Sequence, residues 1–289
     1  MSDKALFKPG DFFAKSQQYE VIRMLGCGGY GQVYLTKCKT TNEERAAKIE
    51  TRKKKNHLIN EVEVYKLLSR STCSPDFFEA DITAYPRWMI MSVEGQSLSQ
   101  IRESSEDGIV SARRLLSISY HAVKAFQELH QLGIVHRDVR AMNICLRKTP
   151  TKNPIVILDF GMSGRVLQPD GSRIYTCSRD FSNRSMASLN VREKRLPKEV
   201  DDLESYGYVM LRLRDMWDIS EKSDEEAIAI RRRLHFELNE YLDQENQFLL
   251  EPLLSIFSQS YDAEMPDYKR ILDAIRACAD FREEAWSHH

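Results

Sequence analysis

The sequence predicts an α+β fold in two lobes: a small, mainly β amino-terminal lobe with one key helix, then a larger, mainly helical lobe. Three observations carry this expectation. Across residues 19–93, short runs of β-type residues (YEVIRML, QVYLTKC, ERAAKIE and WMIMSV) alternate with turns. Beyond Gly95 the apolar spacing becomes mainly helical. Between the first two β-type runs lies a glycine-rich loop, and it leads into another strand rather than into a helix.

The bulk properties narrow the function classes. The chain has 289 residues, 42% of them hydrophobic, which is ample to bury a core. Its 42 basic and 43 acidic side chains leave a net charge of −1, so neither nucleic acid nor a membrane surface is expected as a partner. Cys27, Cys38, Cys73, Cys145, Cys177 and Cys278 lie far apart, without CxxC or metal-ligand spacing, and read as reduced thiols. The opening residues MSDKALFKPG lack the apolar core of a signal peptide, and no run reaches the roughly 18 apolar residues that cross a bilayer. A soluble monomer of the cytoplasm, with access to the nucleus, is the expectation.

In the first lobe, residues 57–68 place Leu58, Val62, Tyr65 and Leu68 on one helical face. In the second, residues 113–131 predict a long amphipathic helix that stops before Gly133, a residue suited to the C′ position. Short strands are expected at residues 144–146 and 155–158. The loop over residues 162–183 is long for a compact domain, a length that signals function or disorder. The charged run EKSDEEAIAIRRR reads as a solvated helix face.

Gly26, Gly28 and Gly31 form G-x-G-x-x-G. Dinucleotide-binding folds share that spacing, but there the loop leads into a helix whose N-terminus faces the pyrophosphate. A loop between two strands is instead the arrangement of a lid over ATP phosphates, where glycine lets the backbone approach closely. Lys48 ends the strand AAKIE and can reach back under the loop toward the α- and β-phosphates, while Glu61 on the next helix can hold it by an ion pair. In VHRDVRAMNICL, Asp138 can accept a hydrogen bond from a substrate hydroxyl, and Asn143 can hold magnesium through its carbonyl oxygen. Asp159 of ILDFG offers that metal a hard carboxylate oxygen.

With these motifs in this order, the chain resembles a eukaryotic protein kinase, and within that family a divergent member of the casein kinase I group, which includes the tau-tubulin kinases. DDLESYGYVML (residues 201–211), ASLN (187–190) where most kinases carry Ala-Pro-Glu, EGQSL and PDYKRIL carry the closer likeness. The resemblance implies a bilobal protein-kinase fold: an extension at residues 1–18, an N-lobe at 19–93, a hinge at 92–95 and a C-lobe at 96–289. It implies ATP and Mg2+ as cofactors and protein substrates with Ser or Thr acceptors. Leu25, Gly26, Gly28, Gly29 and Gly31 would cover the nucleotide. Val33, Ala46 and Cys145 would sandwich adenine, with Leu158 beneath it. Met91 would be the gatekeeper, Ser92, Val93 and Glu94 the hinge, and Asp202 would brace the catalytic loop from a buried helix.

Three positions depart from the family pattern. Arg140 stands where serine/threonine kinases usually place a lysine against the γ-phosphate; its planar fork keeps the charge but changes reach. Some tyrosine kinases use Arg-Ala there, so a tyrosine acceptor is an alternative, opposed by the casein kinase I-like loop SNRSMASLN. Asn183 replaces a threonine that bonds the catalytic aspartate, and Ser185 replaces an arginine that binds anionic groups on primed substrates. A pseudokinase is the rival from another class, opposed by Lys48, Asp138, Asn143 and Asp159, all intact. A dinucleotide-dependent oxidoreductase is opposed by the strand after the glycine loop.

Overall fold

The β-type runs of the first lobe assemble into one antiparallel sheet. The computed structural model describes residues 5–14, 18–29, 31–51, 56–148, 153–167, 172, 174, 185–219, 222–259 and 265–283. Strands β1 (Phe12–Phe13), β2 (Tyr19–Gly28), β3 (Gly31–Cys38) and β4 (Glu44–Ile49) succeed one another in sequence, then helix α1 (His57–Leu67), β5 (Phe77–Asp81) and β6 (Trp88–Met91). Their order across the sheet is β1-β2-β3-β4-β6-β5. β1 and β5 are absent from the sequence expectation. One is two residues long, and the other, FFEAD, is only partly buried and lacks clean alternation. Residues 5–14, set ahead of the catalytic region in the sequence reading, pack on this sheet. Phe7 stands edge-on to Tyr34, and the Leu6 N–H donates to Gln32 Oε1.

α1 forms where the apolar spacing predicts it, and it buries Leu58, Val62 and Tyr65 together with a carboxylate, Glu61. Burying that charge is costly unless it is paired, so the helix face already points to a cation opposite.

The second lobe comprises α2 (Leu98–Glu103), α3 (Ala112–Gln131), β7 (Ile134–Val135), β8 (Ile144–Leu146), β9 (Ile155–Ile157), β10 (Gly164–Arg165), α4 (Leu189–Arg192), α5 (Glu199–Leu213), α6 (Asp224–Phe236), α7 (Leu238–Tyr241), α8 (Leu250–Phe257) and α9 (Tyr268–Ala277). α3 ends as expected: Gly133 takes the left-handed conformation (φ 70°) just past the cap, where any residue with a Cβ is strained. The α3 and α5 helices are buried on most sides rather than on one stripe, because α9, α8 and the sheet fragments cover them. One continuous core runs through both lobes, from Ala46 and Met91 through Phe160 to Phe126 and Leu203.

The charged run at the start of α6 is a correction to the sequence reading. Ser223 caps the helix and the first turn is acidic and exposed, but Ala227, Arg231 and Leu234 face inward and Arg231 is fully buried. The charge count misleads because one arginine of IRRRL lies on the apolar face.

Candidate active site

The glycine loop is a hairpin, with Gly28 opposite Gly31 across β2 and β3. Two register shifts in β2 bend this ribbon. At Gly31 a Cβ would lie 2.4 Å from the Ile49 carbonyl oxygen, so no larger residue fits where β3 crosses β4. Leu25, at the rim, is exposed.

Below the hairpin, β4 delivers Lys48. Its Nζ lies 2.6 Å from Glu61 Oε2 and 2.8 Å from Asp159 Oδ1. Burial alone would depress the Lys48 ammonium, but the Asp159 and Glu61 carboxylates outweigh it and hold its pKa above the usual lysine range. Burial pushes the Glu61 carboxyl up, to about 7, against the pull of Lys48. Asp159 is held below the usual carboxylate range: burial would raise it, and Lys48 wins.

Asp159 has φ 65° and Arg137 has φ 66°, a left-handed conformation that costs a non-glycine residue about 1–3 kcal/mol. Surrounding contacts hold both. Phe160 is buried edge-on to Tyr65 (5.2 Å) and His136 (5.3 Å), and Asn60 Nδ2 donates to the carbonyls of Phe160, Gly161 and Ser163. Arg137 Nε donates to the Met162 carbonyl at 2.5 Å. The N–H groups of His136 and Arg137 donate to Asp202 at 2.6 and 2.9 Å, the bracing that the resemblance implies. His130 joins Asp202 at 2.9 Å and Tyr268 through its other ring nitrogen, so α3, α5 and α9 converge on the loop.

Asp138 and Asn143 meet at the loop's centre. Asn143 Nδ2 donates to the Asp138 carbonyl at 2.9 Å and to its carboxylate at 3.3 Å. Arg140 Nε stands 3.5 Å from Asp138 Oδ2, with about a third of its side chain (32%) exposed. Its Nε makes no hydrogen bond among the described residues. Asn183 lies outside the described residues.

The residues named for adenine lie on β3, β4, β6 and β8 and just after β6 and β9. Ala46 pairs with Met91 across β4 and β6, and Val33 pairs with Lys48 across β3 and β4. Cys145 is buried in β8, bridged to Ser97, and burial pushes its thiol up to about 12. Leu158 is half-buried, and its carbonyl bonds His136 Nε2. At the hinge, the Ser92 N–H is committed to the Asp76 carbonyl and its hydroxyl to Glu94. The Glu94 carboxylate turns to the Lys148 N–H and lies 3.8 Å from Arg147. The side chains of Ser92 and Glu94 are thus engaged within the protein.

Sequence reasoning missed Asn60 and Arg231. Asn60 sits beside Glu61 on the inner face of α1, but its three acceptors are about a hundred residues away and no local pattern announces them.

The model of the protein kinase domain matches residues 19–262. The chain belongs to the protein kinase family. Among its relatives, a Caenorhabditis elegans protein assigned by name to casein kinase I is 27% identical over 168 residues, 56% of this chain. The serine/threonine-protein kinase spe-6 of the same organism is 24% identical over 280 residues, 92% of this chain and 73% of its own length. The chain spans about half the length (49%) of the first of these. The solved structure of vaccinia related kinase 3 superposes with a TM-score of 0.78 at 17% identity, over 95% of this chain and 91% of that one, and so shares the kinase fold. No helix among the described residues is long and apolar enough to cross a membrane.

Proposed function

We propose that this kinase transfers the γ-phosphoryl group of ATP, with Mg2+, to serine or threonine hydroxyls of protein substrates. The observation that carries the reading is the shared ammonium of Lys48, held between Glu61 and Asp159 at 2.6 and 2.8 Å. Such a pairing aims one fixed positive charge from β4 at the phosphates under the glycine loop and sets it beside the metal-ligating carboxylate. The donor set fits magnesium: the Asp159 carboxylate and the Asn143 amide oxygen are hard ligands that would hold the ion, leaving the rest of its shell to phosphate and water. Bound there, magnesium would neutralise developing charge on the phosphates.

The remaining work falls to the chain's own groups. Asp138, buried and held by Asn143, accepts the hydrogen bond of the incoming hydroxyl and orients it in line. Arg140 contributes a second positive charge on the acceptor side. Residues 19–289 form the catalytic unit in this reading, with the hinge at 92–95. Phosphoamino-acid analysis after incubation with radiolabelled ATP and mixed protein substrates tests the acceptor class: phosphoserine and phosphothreonine support it, and phosphotyrosine alone replaces it with the tyrosine reading.

Arg140 gives a sharper test. If its guanidinium meets the γ-phosphate, Arg140→Ala lowers kcat by about 10- to 1,000-fold, the scale of losing one charged donor to the transition state. Arg140→Lys recovers part of that, because the charge stays and the fork is lost. Single-turnover rates of the three forms on one serine peptide check it; equal rates would remove Arg140 from the chemistry.

A further inference from the structure

By the family resemblance residues 187–190 (ASLN) stand in the place of Ala-Pro-Glu, and α5 and α6 grip residues 185–190 (SMASLN) with buried polar and charged side chains. Arg231 is the largest of these grips. It is fully buried, and its guanidinium donates to the carbonyls of Ala187 (2.8 Å), Ser185 (2.8 Å) and Ala227 (2.9 Å). The guanidinium carbon lies 5.1 Å from the Tyr208 ring and 5.3 Å from that of Trp217, which stack on each other at 4.4 Å. Trp217 Nε1 donates to the same Ser185 carbonyl at 3.3 Å.

The other half of the segment is held by carboxylates. Glu204 accepts the Leu189 N–H at 2.6 Å and the Tyr208 hydroxyl. Asp201 accepts the Ser188 hydroxyl at 2.7 Å and the Asn190 amide at 3.0 Å. Carbonyls are thus met by the guanidinium and donors by carboxyl oxygens. Glu204 lies near the buried Arg231 charge, with His235 Nε2 3.3 Å from its Oε1. Burial would raise the Glu204 carboxyl, but His235, Tyr208 and the Leu189 N–H hold it below the usual glutamate range.

Only arginine can make this floor. Its rigid fork reaches three separate carbonyls, whereas a lysine ammonium on a flexible stem has no planar spread of donors. Ser185, Met186 and Ala187 are half-buried, and the carbonyls of Ser185 and Ala187 rest on Arg231.

We propose that Arg231 is a positioning residue for the protein acceptor: it fixes the backbone of residues 185–187 as the wall against which the substrate segment docks, and leaves the nucleotide side untouched. The proposal rests on the reading of residues 185–190 as the acceptor face of a protein kinase. A displacement of about 1 Å in a positioning element costs on the order of 100-fold in rate.

The test is steady-state kinetics of the full chain, Arg231→Lys and Trp217→Phe, on a serine peptide that the unmodified chain selects from a peptide array. Arg231→Lys is expected to lower kcat/KM for the peptide by about 10- to 100-fold, with KM for ATP within about two-fold. Trp217→Phe keeps the ring stack and deletes one hydrogen bond, so it should cost about three-fold on the peptide and nothing on ATP; it decides the matter if the lysine variant does not fold. Unchanged peptide kinetics in Trp217→Phe and Arg231→Lys overturn the proposal, as does an equal loss for peptide and ATP, which marks a merely structural role. Absence of transfer to any peptide by the unmodified chain overturns the kinase reading itself, and this proposal with it.

Discussion

Asp138→Asn is expected to lower kcat for peptide phosphorylation by about 100- to 10,000-fold, the range set by a positioned acid–base group. The substitution is nearly isosteric, and the Asn143 amide that donates to the Asp138 backbone carbonyl keeps that bond. The loss is that of a negative acceptor for the substrate hydroxyl. Because Lys48, Glu61 and Asp159 form their own cluster, nucleotide affinity should stay within about two-fold of the original. Asp159→Ala should do the reverse at the binding step: it removes a carboxylate from Lys48 and the carboxylate proposed above to hold magnesium, so affinity for MgATP falls. Calorimetric titration of both variants with MgATP checks the division of labour. Equal affinities would mean that the roles of the two aspartates have been wrongly divided.

The second large effect is on stability. Asp202→Ala should destabilise the fold by about 3–5 kcal/mol, the usual consequence of removing one partner from a buried charged network. Asp202 is 2% exposed and takes donors from His136 N, Arg137 N and His130 Nε2, and its loss leaves two backbone N–H groups in the interior with nothing to bond. Burial would raise this carboxyl, but those hydrogen bonds and His130 hold it below its ordinary value of 3.8. A depressed folded-state pKa contributes stability that is complete above the unfolded value and is lost as pH falls through the folded one. Urea unfolding should therefore show a much lower midpoint for the variant at neutral pH, and the two proteins should converge in strong acid. A variant within about 1 kcal/mol of the parent at pH 7 would mean that the loop is braced elsewhere.

The residues legible in the sequence are those whose chemistry is announced by a short motif or by order along the chain. Lys48 and Glu61 can be paired from sequence because a glycine loop, a strand and an amphipathic helix succeed one another in the right order, and the structure brings the two side chains to 2.6 Å. Asp202 is placed beneath the catalytic loop only through family likeness, since nothing local in DDLESYGYVML says which backbone its carboxylate serves. Arg231 is misjudged for a related reason. Its targets include carbonyls more than forty residues earlier, and main-chain acceptors carry no signature in a sequence. Asn60 escapes in the same way. Strand β5 is lost because sheet membership there comes from pairing with β6 rather than from its own composition.

The short β1 strand has a bearing on how the catalytic unit can be handled in isolation. It covers the outer edge of β2, where Phe12 pairs with Glu20, the Gly10 N–H bonds the Val21 carbonyl and the Val21 N–H bonds the Asp11 carbonyl. The family match begins at residue 19, and a polypeptide trimmed to that point would uncover the outer edge of β2 at residues 19–21. It would also strip Phe7 and Phe13 from the cluster around Tyr34, Tyr19 and Trp88. Unpaired N–H and C=O groups beside freshly uncovered aromatic surface are a template for edge-to-edge association. The trimmed form should accordingly form multimers that grow with concentration in light scattering, at concentrations where the parent stays of constant size. On that result residues 5–14 would serve as a guard against aggregation.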